Sequence, residues 1–149
     1  MSEASEAHDP FDLQRFVSAQ ARNYATAREE LRNGRKRTHW MWYMFPQIDG
    51  LGYSPTSKHY AIKSKAEAQH YLQHPVLGQR LLECVNILLK HEGRSASAIF
   101  GSPDDMKLKS SMTLFACVQN QEPAFTRVLD KYFQGQQDRR TIELLEQRP

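Results

Sequence analysis

Apolar residues along this chain recur at steps of three and four, and this spacing predicts helices nearly from end to end. The longest periodic segment follows Pro75. There Val76, Leu77, Leu81, Val85, Leu88 and Leu89 keep helical spacing, and Gly93 is placed to end it. In "SPDDMKLKSSMTLFACV", Ser102 predicts a cap and Pro103 a first helical position. Asp104 and Asp105 follow in the first turn, where carboxylates suit the positive end of the helix dipole. Leu108, Met112 and Phe115 mark the core stripe of that helix. Upstream, Asp9 before Pro10 predicts a first helix carrying Leu13, Phe16 and Val17. A second helix is expected over about residues 22–33, with Gly34 as its left-handed cap. Ser54-Pro55 opens another, and Ser64 with Glu67 three residues on opens one through about His74. "SASAIF" predicts one or two turns, and "EPAFTRVLDKYF" and "RRTIELLEQ" predict two more helices. No stretch alternates long enough to predict a strand, and no repeat of 20–50 residues is present. The expectation is an all-α fold. Residues 9–149 form a single compact domain of about seven to nine short helices, behind a flexible acidic tail at residues 1–8.

One segment breaks the pattern. "RKRTHWMWYMFPQ", residues 35–47, runs three cations into a cluster holding both tryptophans and four of the fifteen Phe, Trp and Tyr residues. Thr38 is expected to cap a short helix that Pro46 stops. A helix apolar all round is buried, so most of it reads as core. His39 and Trp42 share one face, and that face is the best candidate for a pocket wall. An imidazole beside an indole can hold a ring, and cations can hold an acid group. In this reading His39 transfers a proton or donates a hydrogen bond and Trp42 stacks. Gln47 orients the ligand, while Arg35 and Arg37 stand near the mouth. Lys58 in "SPTSKHY" is the phosphate partner, because that helix start carries no acidic first turn. Lys107 and Asp105 close the other side, Asp105 as a candidate general base. The bland reading of that second segment is helix capping plus an Asp105–Lys109 pair.

Charge narrows the partners. The formal net charge is +3, and residues 28–37 alone carry five cations and two anions. The remainder is balanced, and the basic and aromatic residues form adjacent blocks rather than interleaving. Both facts argue against nucleic-acid binding. His70 and His74 are four apart, but the zinc-protease pattern needs Glu where Tyr71 stands, so they read as two solvated histidines; no metal or cofactor is expected. Cys84 and Cys117 read as reduced thiols. The start "MSEASEAHDP" lacks signal-peptide character and no apolar run reaches the roughly 20 residues that span a bilayer. A cytoplasmic location and no membrane are therefore expected.

"DPFDLQRFVSAQ", "GRKRTHWMWYMFPQIDGLGYSPTSKHYAI", "HPVLGQRLLECVNILL" and "IFGSPDDMKLKSSMTLFA" closely resemble the bacterial family called domain of unknown function 1810. The resemblance runs from about Asp9 to about residue 145. It implies a single all-helical domain and no established activity. Members sometimes carry the label calpastatin, but the compact helical pattern gives a protease-inhibitor role no support. "QHPVLGQRLLE" is loosely similar to a helix of N-glycosidases acting on ADP-ribose-type substrates. Their acidic motif has no counterpart, because Lys58 stands where a glutamate is wanted, and no catalytic residue carries over. The leading expectation is a pocket for a small anionic, nucleotide-like ligand, with catalysis left open. The alternatives are an aromatic protein-interaction patch and N-glycosidase chemistry.

Overall fold

The computed structural model describes residues 9–118 and 122–148, and among them the chain forms nine α-helices and no strands. These are α1 (Gln14–Arg32), α2 (Met41–Met44), α3 (Pro55–His59), α4 (Lys65–Gln73), α5 (Leu77–Lys90), α6 (Ala96–Phe100), α7 (Asp104–Val118), α8 (Ala124–Phe133) and α9 (Arg139–Gln147). A single parallel bridge pairs Ile48 with Ile62. The all-α expectation and the helix count are met. The acidic tail expected at residues 1–8 lies outside the described residues.

Helix α7 is the axis of the domain, packed against α4, α6, α8 and α9. Its sequence predicts a stripe at Leu108, Met112 and Phe115, yet every residue from 110 to 115 is buried. Two hydroxyls remain compatible with burial because they return to the helix itself. Ser110 donates to the Met106 carbonyl at 3.2 Å and Thr113 to that of Lys109 at 2.8 Å. Helix α5 forms the second layer, against α1, α4 and α8.

Two local readings change. The predicted first and second helices are one element, α1, broken in the middle by non-helical Asn23 (φ −144°, ψ 19°). Pro10 does not start it; the Asp9 carboxylate instead reaches forward to the Leu13 and Gln14 N–H groups at 2.8 and 3.0 Å. His74 is not a solvated histidine. Its Nδ1 accepts from the Val76 and Leu77 N–H groups at 3.1 and 3.3 Å and so caps α5. Burial pushes its imidazole pKa down, which favours the neutral ring this role requires, against an upward pull from Asp9. Cys84 and Cys117 are both free thiols. No cluster of potential metal ligands occurs among the described residues.

The α4–α5 corner depends on one glycine. A Cβ on Gly78 would lie 2.1 Å from the Leu72 carbonyl oxygen, which belongs to the backbone and cannot rotate away. Gly78→Ala is therefore expected to lose about 1–3 kcal/mol. Urea denaturation checks this, and an unchanged midpoint would show that the corner can open.

Candidate functional site

The site is assembled from the end of α1. Glu30 is buried, and its carboxylate collects the chain that follows Gly34. Oε1 accepts from the Arg37 N–H (2.9 Å), the Thr38 N–H (3.1 Å) and the Trp40 indole N–H (2.9 Å). Oε2 accepts from the Thr38 hydroxyl at 2.8 Å. Burial pushes this carboxyl pKa up, but the bonds from Arg37, Trp40 and Thr38 outweigh it, and the net shift is downward. Thr38 is thus not the cap of α2. The residue before α2 is Trp40, which makes no side-chain cap bond.

The basic run divides by direction. Arg35 and Arg37 are exposed, whereas Lys36 turns inward. The Lys36 ammonium donates to the Thr38 carbonyl at 2.6 Å, meets Asp104 Oδ2 at 2.9 Å and lies 4.9 Å from the Trp40 ring centroid. Asp104 Oδ1 in turn meets the Lys107 ammonium at 3.1 Å, and that ammonium sits 4.2 Å from the Trp42 ring centroid. Burial raises the Asp104 pKa, but bonds from Lys36 and Lys107 dominate and hold it below its ordinary value.

These groups surround a cleft of about 150 Å³ lined by His39, Trp40, Met41, Trp42, Tyr43, Thr56, Asp104 and Lys107. Trp42 and Tyr43 are half-buried and His39 is exposed at the rim. Tyr43 is held by Asn23, whose amide donates to the phenol oxygen at 2.6 Å, and itself donates to the His39 carbonyl at 3.2 Å.

Of the residues expected at a site, the structure brings together His39, Trp42 and Lys107. The others stand elsewhere. Gln47 is buried away from the cleft, its side-chain N–H₂ without a partner among the described residues and its backbone carbonyl accepting from the Ile62 N–H at 2.9 Å. Lys58 is exposed and does not line the cleft; two residues after Thr56, it lies about 200° around α3. The α3 start is already capped, with the Ser57 N–H donating to Ser54 Oγ at 3.1 Å. Asp105 accepts from the adjacent Met106 N–H at 2.9 Å, and the expected Asp105–Lys109 pair is replaced by Asp104–Lys107. Sequence reasoning missed Glu30, Lys36, Asp104, Tyr43 and Thr56 as members or supports of the cleft.

A larger depression, about 950 Å³, runs along α5 and is lined by Arg32, Arg80, Glu83 and Lys90 among others. No Phe, Tyr or Trp side chain lines it, and Glu83 is already engaged by the Tyr24 hydroxyl and Arg28. The smaller cleft sets Trp and Tyr rings beside an ammonium and a carboxylate.

Residues 10–145 match the family described as "Protein of unknown function (DUF1810)". The chain belongs to this family. It is also similar to a solved structure, the conserved hypothetical protein Rv1873 from Mycobacterium tuberculosis. The two are 56% identical with a TM-score of 0.91, over 93% of this chain and 99% of that one. Comparison with curated proteins gives no match. A fold does not by itself fix function, so the chemistry of the cleft decides what this DUF1810 chain can bind. Among the described residues no helix is long and apolar enough to cross a membrane.

Proposed function

We propose that this chain is a small-molecule-binding domain that holds an anionic, nucleotide-like ligand in the cleft between α2, α3 and α7. The observation that supports this reading is the position of Lys107. Its ammonium is fixed between the Trp42 ring and the Asp104 carboxylate, at the wall of a cavity. An ammonium has three donors. Those of Lys36 all have recipients: the Thr38 carbonyl, Asp104 and the Trp40 ring. Among the described residues Lys107 faces Asp104 and Trp42, which leaves one N–H for an acid group. His39 supplies a polar group at the rim and Trp42 a flat wall.

Size sets a limit. Small-molecule sites are typically about 300–1,000 Å³. At about 150 Å³ this cleft encloses the acid group or one ring of a nucleotide-like molecule, and the remainder lies outside. The protein-interaction alternative has less support. The large apolar side chains exposed among the described residues are Tyr53 and Met106, and exposed apolar residues scattered singly are ordinary. N-glycosidase chemistry needs a free carboxylate, whereas both Asp104 oxygens face ammonium groups.

The test is a thermal-shift screen against nucleotides, sugar phosphates and ring carboxylates. A ligand at 100 times its dissociation constant is expected to stabilise the protein by about 2.7 kcal/mol. Lys107→Met and Trp42→Leu are expected to remove that stabilisation while the free proteins still melt cooperatively. Stabilisation untouched by either change would move the site elsewhere.

A further inference from the structure

The same cleft restricts the chemistry of its occupant, and we infer that the enclosed ligand group is a monocyclic aromatic carboxylate, one ring bearing one negative charge. The inference rests on the cleft being a ligand site. Three observations lead to it.

The first is volume. An apolar cavity of roughly 150 Å³ accepts one benzene ring. The cleft has about that space, so a base, a ribose and a phosphate do not enter together. The second is the wall. Trp40, Trp42 and Tyr43 line it with Met41, and aromatic faces and edges favour a flat ring in offset or edge-on contact.

The third is charge. Lys107 and Asp104 line the cleft with one charge of each sign, and behind that wall Lys36 and the Glu30 carboxylate add one more of each. A monoanion meets the one ammonium at the wall that has a donor to spare. A doubly charged phosphomonoester leaves an excess negative charge beside the Asp104 carboxylate, where partial burial weakens screening by water. The donor count agrees. Lys107 offers one open N–H to one carboxylate oxygen. Thr56 and His39 line the same cleft and their side chains make no hydrogen bond to another described residue, so the cleft holds two further polar groups to offer the second oxygen.

The experiment is isothermal titration of the intact chain with benzoate, benzamide, phenyl phosphate and adenosine monophosphate, at a pH of about 8. Benzoate is expected to bind, and benzamide, which has the same shape without the charge, at least tenfold more weakly. Phenyl phosphate, a dianion at that pH, is expected to bind more weakly than benzoate. Lys107→Met is expected to reduce benzoate affinity at least tenfold, and Lys107→Arg to retain part of it. The wild-type comparisons stand even if a variant fails to fold. Phosphate-bearing probes that bind in a Lys107-dependent way while benzoate does not would overturn the ring-carboxylate class and leave the site intact. Absence of binding by all four probes, or benzoate affinity indifferent to Lys107, would overturn the class and the site together.

Discussion

Replacing Arg15 with methionine is expected to destabilise the protein by about 3–5 kcal/mol, the usual cost of leaving a buried charge without its partner. Arg15 uses all five of its N–H donors. Nε donates to the His59 carbonyl at 2.7 Å. Nη1 donates to the Phe11 and Asp12 carbonyls at 2.6 and 2.8 Å. Nη2 donates to the Ala61 carbonyl at 2.9 Å and to Glu67 Oε2 at 2.7 Å. The side chains of Arg15 and Glu67 are only 9% and 2% exposed, so this pair is not a screened surface contact. Without Arg15, Glu67 keeps a single bond, from the Lys63 N–H at 2.8 Å, and its charge stays in a place water does not reach. The double variant Arg15→Met/Glu67→Leu is expected to recover part of the loss, because removing both partners costs less than stranding one. Recovery is incomplete, since four backbone carbonyls still lose their donor. Urea denaturation of the two single variants and the double variant measures the coupling. A double variant no more stable than Arg15→Met would refute the stranded-charge account.

Arg15 also illustrates what the sequence made legible. Its position on a helix follows from the spacing of Leu13, Phe16 and Val17, and helices α4, α5, α7, α8 and α9 follow from similar local periodicity. Ser64 was legible as a cap, and its hydroxyl does accept from the Glu67 N–H at 3.1 Å. The other half of that motif was misleading, because the Glu67 carboxylate turns to Lys63 and Arg15 instead. The aromatic segment behaved similarly. Trp40, Met41, Met44 and Phe45 are core, as an all-round apolar helix predicts, while Trp42 and Tyr43 stay half-buried. The identity of the inward cation was not readable. Arg35, Lys36 and Arg37 are consecutive, and nothing local distinguishes the middle one. The selection comes from Asp104, far along the chain, and from Ile99, whose carbonyl accepts from the Lys36 N–H at 2.7 Å. For the same reason nothing local separates Asp104 from Asp105. Helix periodicity gives the face of a residue relative to its own helix, but tertiary packing decides which face meets the cleft.

Glu30 is the second residue whose loss is expected to be severe, and its effect links stability to the site. Glu30→Ala is expected to cost about 2–3 kcal/mol, the upper part of the range for a stranded buried donor. It strands the Trp40 indole N–H, which is fully buried, while exposed Arg37 and Thr38 can turn to water. Glu30→Gln keeps one acceptor oxygen but places an amide N–H₂ against groups that are themselves donors, so it is expected to cost about half as much. The pH dependence has a definite sign. Burial tends to raise the Glu30 pKa, but the Arg37, Trp40 and Thr38 bonds bring it below 4.5. A carboxyl with a lowered native pKa contributes stability that is complete above its unfolded value and disappears as pH falls through the native value. The gap between wild type and Glu30→Gln is therefore expected to be full near neutral pH and to shrink as pH falls below the ordinary carboxyl value of 4.5. Denaturation midpoints across that range measure it, and a constant gap would mean the carboxylate charge contributes nothing. Glu30→Gln should also weaken benzoate at the cleft, although Glu30 does not line it. The carboxylate holds Thr38 and Trp40, and between them His39 is carried to the rim. If Glu30→Gln lowers stability near neutral pH and leaves affinity unchanged, the loop keeps its shape without that carboxylate, and the residue serves the fold alone.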